Sequence, residues 1–237
     1  MRILVTICAR GGSKGVKNKN IREISGKPLI VYTFETAKKW GKADRIVCSS
    51  DSNDILEIAE KYGVDTPFIR PKELSNDDVG KVEVIRHAAV ECEKKYNEKY
   101  DIIVDLDVTA PIRSKHDLDN CLKIFNEKKP DVLFSVVNAR KNPYFNIVEE
   151  RADGFAKIVK PLKKDVLSRQ KTPKVYDLNA SIYFYDREFL FDKKNETVTS
   201  TDKAAIYVMD DISAVDIDSE LDLRFIEFLI ENKEVIL

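Results

Sequence analysis

The chain is expected to fold as an α/β domain, with a mostly parallel sheet flanked by helices on both faces. Three observations predict this. Short apolar runs alternate with helix-period patterns through the first half of the 237 residues. Polar segments follow several of those runs, which is where parallel sheets gather ligands. A composition of 43% hydrophobic and 34% charged residues suits a globular chain of this length. With no internal repeat, low-complexity tract or linker, residues 1–237 read as a single domain.

Ile3 to Cys8 reads as the first strand. Pro28 to Trp40 reads as a helix, with Leu29, Tyr32, Thr33 and Thr36 on one face and the fixed φ of Pro28 suited to a first turn. Arg45 to Ser50 is a strand, and Asp54 to Tyr62 a helix that Ser52 or Asn53 can cap. Thr66 to Arg70 reads as a short extended run. Lys81 to Lys95 is helical, Asp101 to Leu106 a strand, Lys115 to Glu127 helical, and Asp131 to Val137 a strand.

The rhythm then breaks. Residues 138–172 carry prolines at 143 and 161 and two strand candidates, Tyr144 to Val148 and Phe155 to Val159, so they read as a β-rich insertion. Strands resume at Ile182 to Asp186 and Ala205 to Met209, and Glu220 to Asn232 is an amphipathic helix.

A formal net charge of -1 creates no global field for nucleic acid or anionic membranes. Met1-Arg2 leads straight into the first strand, and nowhere do eighteen apolar residues run together. No nucleic-acid or membrane partner is expected, and a cytoplasmic location is. Cys8, Cys48, Cys92 and Cys121 are scattered without C-x-x-C spacing, which suits reduced, partly buried thiols. His87 and His116 lie in helical patterns and read as structural.

Chemistry concentrates after the first strand. The stretch from Ile7 to Asn20 holds Gly11, Gly12 and Gly15 with Arg10, Ser13, Lys14, Lys17 and Lys19. Glycines allow tight turns and close backbone approach, and the cations neutralise more charge than one carboxylate carries, so the loop reads as a polyphosphate cradle. It is neither a P-loop nor a dinucleotide fingerprint, because three residues separate Gly11 from Gly15 and Val16 follows.

Asp216 and Asp218 share one face of an extended segment and can bind a hard cation such as Mg²⁺. Asp105 and Asp107 repeat that spacing at a strand end. Arg169, Gln170 and Asn179 supply a fixed cation and amides ahead of a later strand. No G-x-S-x-G is present, so acyl transfer finds little support. A phosphate cradle with a carboxylate pair describes phosphoryl or nucleotidyl transfer.

The motifs Ala9-Arg10-Gly-Gly-Ser-Lys-Gly15, Lys19-Asn20, Gly26-Lys-Pro-Leu29, Ser49-Ser-Asp51, Ile69-Arg-Pro-Lys-Glu-Leu74, Thr109-Ala-Pro-Ile-Arg113, Arg169-Gln170, Asn179 and Asp216-Ile-Asp218 span nearly the whole chain. Their order and spacing closely resemble the acylneuraminate (CMP-sialic acid synthetase) family of cytidylyltransferases. The resemblance implies a GT-A-like nucleotidyltransferase fold and a homodimer whose insertion, here 138–172, reaches toward the partner's site. It implies transfer of CMP from CTP to a nonulosonic acid, with release of pyrophosphate.

Matched by position, Ala9, Arg10, Gly11, Ser13, Lys14 and Asp77 would hold the nucleotide, with Asn20 and Arg70 at the cytidine. Asp216 and Asp218 would hold Mg²⁺. Asp107, Thr109, Gln170 and Asn179 would face the sugar acid, and Arg10, Lys19, Arg169 and Asp218 would act in the reaction itself, Asp218 as a candidate proton acceptor.

The chain also departs from that family. The usual Leu-Gln-Pro-Thr-Ser-Pro-Leu-Arg is Leu106-Asp-Val-Thr-Ala-Pro-Ile-Arg113, so a carboxylate at Asp107 replaces an amide. Gly80-Lys81 replaces a Ser-Ser, and Asn179-Ala180-Ser181 replaces Asn-Gly-Ala. Asp105-Leu-Asp107-Val-Thr109 and Arg140-Lys-Asn-Pro-Tyr-Phe-Asn146 are similar to the branch containing CMP-legionaminic acid synthetases. N-acetylneuraminate and legionaminate are the expected acceptors, ahead of pseudaminate and ketodeoxyoctonate. Two other readings compete: a glycosyltransferase using D-x-D to hold a nucleotide-sugar, and a non-catalytic CTP-binding module.

Overall fold

A computed structural model describes residues 1–12, 15–164 and 168–235. In chain order its first elements are β1 (Ile3–Cys8), β2 (Glu23–Ile24), β3 (Lys27–Pro28), α1 (Leu29–Trp40), β4 (Arg45–Ser49), α2 (Asn53–Lys61), α3 (Lys81–Tyr96), β5 (Ile102–Leu106) and α4 (Lys115–Lys128). Then follow β6 (Val132–Asn138), β7 (Val148–Glu150), β8 (Ala156–Ile158), β9 (Tyr176–Asp186), α5 (Arg187–Phe191), β10 (Ala204–Val208) and α6 (Glu220–Glu231).

Six strands form one sheet in the order β10-β6-β9-β5-β1-β4. β4, β1 and β5 run parallel, as do β6 and β10, while β9 lies antiparallel between β5 and β6. The connection from β6 to β9 explains that reversal. A parallel return needs a crossover, usually helical; residues 139–175 instead carry the β7-β8 hairpin as a separate two-stranded sheet.

Strand alternation divides the core into two layers. Ile3, Val5 and Ile7 of β1 and Ile102, Val104 and Leu106 of β5 face the layer filled by Leu29, Phe34 and Trp40 of α1, Phe125 of α4 and Ile226 of α6. Leu4 and Ile103 face the other layer, with Val82, Ile85 and Cys92 of α3 and Phe189 and Leu190 of α5. Each such burial stabilises by about 1.5–3 kcal/mol relative to exposure. Trp40 meets Phe184 of β9 edge to face, with ring centroids 5.9 Å apart, and donates its indole N–H to Asp119 at 3.1 Å.

Local chemistry explains most boundaries. Ser114 and Ser219 each open a helix with a reciprocal capping box, to Asp117 and Asp222. Ser52 occupies the N-cap position of α2, but its side chain makes no capping bond.

Two expectations shift. Thr66 to Arg70, read as a short extended run, joins no ladder; the single bridge nearby pairs Asp65 with Val47, and Pro67 removes a donor from the run. Tyr144 to Ile147 is a turn, because the Asn142 side chain accepts the Tyr144 N–H at 2.9 Å and the Asn142 carbonyl takes the next amides; the first hairpin strand begins only at Val148. β9 begins at Tyr176 rather than Ile182, through a register shift opposite Phe134 and Val136.

Candidate active site

The carboxyl ends of β1, β4 and β5 lie side by side, so the loops that follow them converge. After β1, Ala9 still donates its N–H to Ser49 of β4 at 3.0 Å. The Gly11 N–H then donates to Asp51 Oδ1 at 2.9 Å, and a Cβ at Gly11 would press to 2.9 Å from Ser52 Cβ. Buried Asn20 closes the loop by donating its amide to the Arg10 carbonyl at 2.9 Å. Asp51 also faces the buried Arg70 guanidinium at 3.7 Å, and Arg70 Nε donates to Ser75 at 3.0 Å. The Arg10 guanidinium reaches Asp77 at 2.6 Å. Ser13 and Lys14 lie outside the described residues.

The opening loop rests on the Asp216-Ile-Asp218 segment, distant in sequence. Lys19 donates to the Ile217 carbonyl and approaches Asp218 Oδ1 at 3.3 Å. Ile217 N–H in turn donates to the Thr109 carbonyl at 2.9 Å. The loops after β1 and β5 are thus both tied to the backbone of Ile217, one by the Lys19 side chain and one by the Thr109 carbonyl.

Asp216 and Asp218 fit a divalent cation. Asp216 Oδ1 is buried with no hydrogen-bond partner, an orphan that costs stability unless something satisfies it. Burial, with the Asp107 and Asp218 charges, raises the Asp216 pKa against the Thr109 hydroxyl and Lys19. Asp218 is exposed and lines the cleft that also holds Arg10 and Lys19. Among the described residues no group of three His, Cys, Asp or Glu could hold a metal, so these two carboxylates would need further oxygens from a ligand or water. That is the usual condition of a protein Mg²⁺ site beside phosphates.

In the loop after β5, Asp107 Oδ1 accepts both the Thr109 N–H at 2.9 Å and the Thr109 hydroxyl at 3.0 Å. Its Oδ2 receives the Lys81 ammonium, which also lies 3.2 Å from Asp105 Oδ2 and 4.5 Å from the Tyr183 ring centroid. Burial works against ionised Asp107, but Lys81 and the Thr109 bonds outweigh it and bring its pKa down to about 2. Asp105 differs: burial dominates and raises its pKa despite Lys81 and the Thr6 hydroxyl at 2.8 Å. Arg113, buried beneath, donates to the carbonyls of Ala110 and Ser181 at 3.0 Å, to Ser181 Oγ at 3.1 Å, and to the Asp107 carbonyl and Thr33 Oγ1 at 2.5 and 2.6 Å. These groups enclose a cleft of about 470 Å³ whose walls include Ala9, Arg10, Gly15, Lys19, Asn20, Arg70, Asp77, Lys81, Asp107, Thr109 and Asp218.

Residues 4–237 match the sequence profile of the cytidylyltransferase family. The chain belongs to that family. As a cytidylyltransferase it is 43% identical over 233 residues to post-translational flagellin modification protein B of Campylobacter coli, covering 98% of this chain and 97% of the relative. It is 42% identical to CMP-N,N'-diacetyllegionaminic acid synthase of Campylobacter jejuni over the same shares. The resemblance to the acylneuraminate family and its legionaminic branch therefore holds. CMP:2-keto-3-deoxy-manno-octonic acid synthetase, solved with CTP, shares the fold with a TM-score of 0.71 at 15% identity, over 98% of this chain and 100% of that one.

Not every expected site residue of the cytidylyltransferase meets in this cleft. Arg169 and Gln170 line a separate hollow of about 280 Å³ with Asn138, Ala139, Asn142 and Lys174, and the Arg169 guanidinium donates to the carbonyls of Ala139 at 2.9 Å and Arg140 at 3.0 Å. Asn179 is buried in the sheet, where it accepts from Ser135 at 2.6 Å and donates to the Ser213 carbonyl at 3.0 Å and to Met209 Sδ. Its amide orders β9 against the segment before Asp216 and does not reach the cleft wall. Lys81, Asp51 and Arg113 carry no predicted role, yet they organise the site. Lys81 had a signal, since its departure from the family pattern faces the departure at Asp107.

Proposed function

We propose that this cytidylyltransferase transfers CMP from CTP to the anomeric hydroxyl of a nonulosonic acid of the legionaminic type. The observation that carries the reading is the junction of the glycine-rich loop with Asp218 and the loop after β5 in one polar cleft. In the reaction, the hydroxyl oxygen attacks the α-phosphorus, the bond from that phosphorus to the bridging oxygen breaks, and pyrophosphate leaves. The 42% identical relative named for N,N'-diacetyllegionaminic acid supports the acceptor class.

The residues take roles from their positions. Arg10 and the amides of the loop meet the triphosphate, with Arg10 exchanging its Asp77 partner for phosphate oxygens. Lys19 stays against the Ile217 carbonyl and offsets charge where the pyrophosphate forms. Asn20 holds the loop closed, and Arg70 borders the cytidine. Asp218, exposed in the cleft wall, would take the hydroxyl proton. Asp216 and Asp218 would hold Mg²⁺, which when bound neutralises charge on phosphate oxygens.

The exposed apolar side chains of the insertion, Val148 at 59% and Phe155 at 68% exposure, support a homodimer contact there. In such a dimer Arg169 and Gln170 would serve the partner's cleft. The expected location is cytoplasmic.

Incubation with CTP, Mg²⁺ and a panel of nonulosonic acids is expected to release pyrophosphate, fastest with the legionaminic acceptor. Asp216→Asn is expected to slow release by about 10²-fold or more. Release of nucleoside mono- or diphosphate from a nucleotide-sugar, or tight CTP binding without turnover on any acid, defeats this reading.

A further inference from the structure

Of the three charged groups beyond Thr109, one faces the cleft most openly. Asp105 is 1% exposed and Asp107 22%, whereas the Lys81 side chain is 32% exposed. Asp107 is occupied on both oxygens, by two Thr109 donors on Oδ1 and by Lys81 on Oδ2. The Lys81 ammonium is fixed from three directions, by Asp107, by Asp105 at 3.2 Å and by the Tyr183 ring face at 4.5 Å. A lysine otherwise samples many rotamers, so this arrangement holds a cation in one place at the cleft wall.

It shares the cleft with Arg10 and Lys19 but rests on different elements. Across the strand order β9-β5-β1, Tyr183 and Lys81 stand at the β5 and β9 end, while Arg10 and Lys19 belong to the loop after β1. Relative to the family pattern, the Asp107-Lys81 pair replaces an amide and a small hydroxyl residue. The exchange preserves net charge but converts the exposed donor into an ammonium.

Resting on the cytidylyl-transfer reading, we propose that Lys81 binds the carboxylate of the acceptor acid and that Asp107 is a positioning residue acting through it. Asp107 is then not itself a sugar ligand. The carboxylate recognised is the one on the carbon bearing the reacting hydroxyl, so this contact orients that hydroxyl toward the α-phosphorus.

The test compares each acceptor acid with its neutral carboxamide, using steady-state pyrophosphate release and separate calorimetric titration of CTP. A charge-assisted hydrogen bond predicts that wild type favours the acid by about 10- to 100-fold in KM. In Lys81→Met that preference is expected to fall to about twofold, with the CTP Kd within about twofold of wild type. Asp107→Asn is expected to raise the acid's KM with little change in kcat, and to add nothing in the Lys81→Met background. Lys81→Gln provides the same comparison should the methionine variant fold poorly.

An acid preference that survives in Lys81→Met or Lys81→Gln overturns the proposal, as does equal use of acid and amide by wild type. A parallel rise in CTP Kd overturns it too. Wild-type protein that binds CTP but releases no pyrophosphate with any acid overturns the reaction itself and the proposal with it.

Discussion

Gly15 and the backbone of Asp218 pack so closely that a Cβ at position 15 would overlap the Asp218 carbonyl oxygen. This contact joins two motifs more than two hundred residues apart in the sequence. Lys19 reinforces it through the Ile217 carbonyl. The close approach alone requires a residue without a Cβ at this position.

Gly15→Ala is therefore expected to push the loop off the Asp216-Ile-Asp218 segment. Since the contact is at the surface of the cleft, global stability should change little, but misplaced phosphate donors should lower kcat/KM by about 10- to 100-fold. Pyrophosphate release, with a urea titration as the stability control, checks both parts.

Acid stability should carry the signature of Asp107. Its folded pKa of about 2 lies below the unfolded value of about 3.9, so its contribution is complete above pH 4 and lost as pH falls toward 2. The stake is on the order of 1–2 kcal/mol. Asp105 works in the opposite sense, because its raised pKa disfavours the folded state above the unfolded value. Urea midpoints between pH 5 and pH 2 should fall less steeply at the low end in Asp107→Asn than in wild type.

Ala180 has φ of +54°, in the left-handed region that an alanine enters at a cost of about 1 kcal/mol. It sits in β9 between Asn179 and Ser181, at the register shift opposite β6. Ala180→Gly is expected to relieve that strain and stabilise the protein by about 0.5–1 kcal/mol, or a Tm rise of about 1–4 °C. Calorimetric melting at neutral pH measures it.

Much of the fold was legible because its signals are local. The aliphatic strands β1 and β5, the helix periods and the break after Asn138 all lie within single windows of sequence. β9 was not fully legible: Asp177, Asn179 and Ser181 disguise its first half, and the buried polar atoms of Asn179 and Ser181 find partners in Ser135, Met209, Ser213, Arg113 and Ala110 of other elements. Asn142 likewise turned an apparent strand into a turn through its own side chain. Within the site, Arg10, Lys19, Asn20, Arg70 and Asp218 line one cleft. Arg169, Gln170 and Asn179 sit elsewhere in the chain's own fold.

By itself the sequence determined the alternation that makes an α/β sheet, the glycine- and cation-rich composition of the loop after β1, and the family. Those properties follow from residue type and short-range spacing. Only the tertiary structure decided that β9 runs antiparallel, that Gly15 lies on Asp218, and that the carboxylate at Asp107 is answered by Lys81. Each of these is a contact across sequence distance, and its energy depends on burial and on partners that no local window contains.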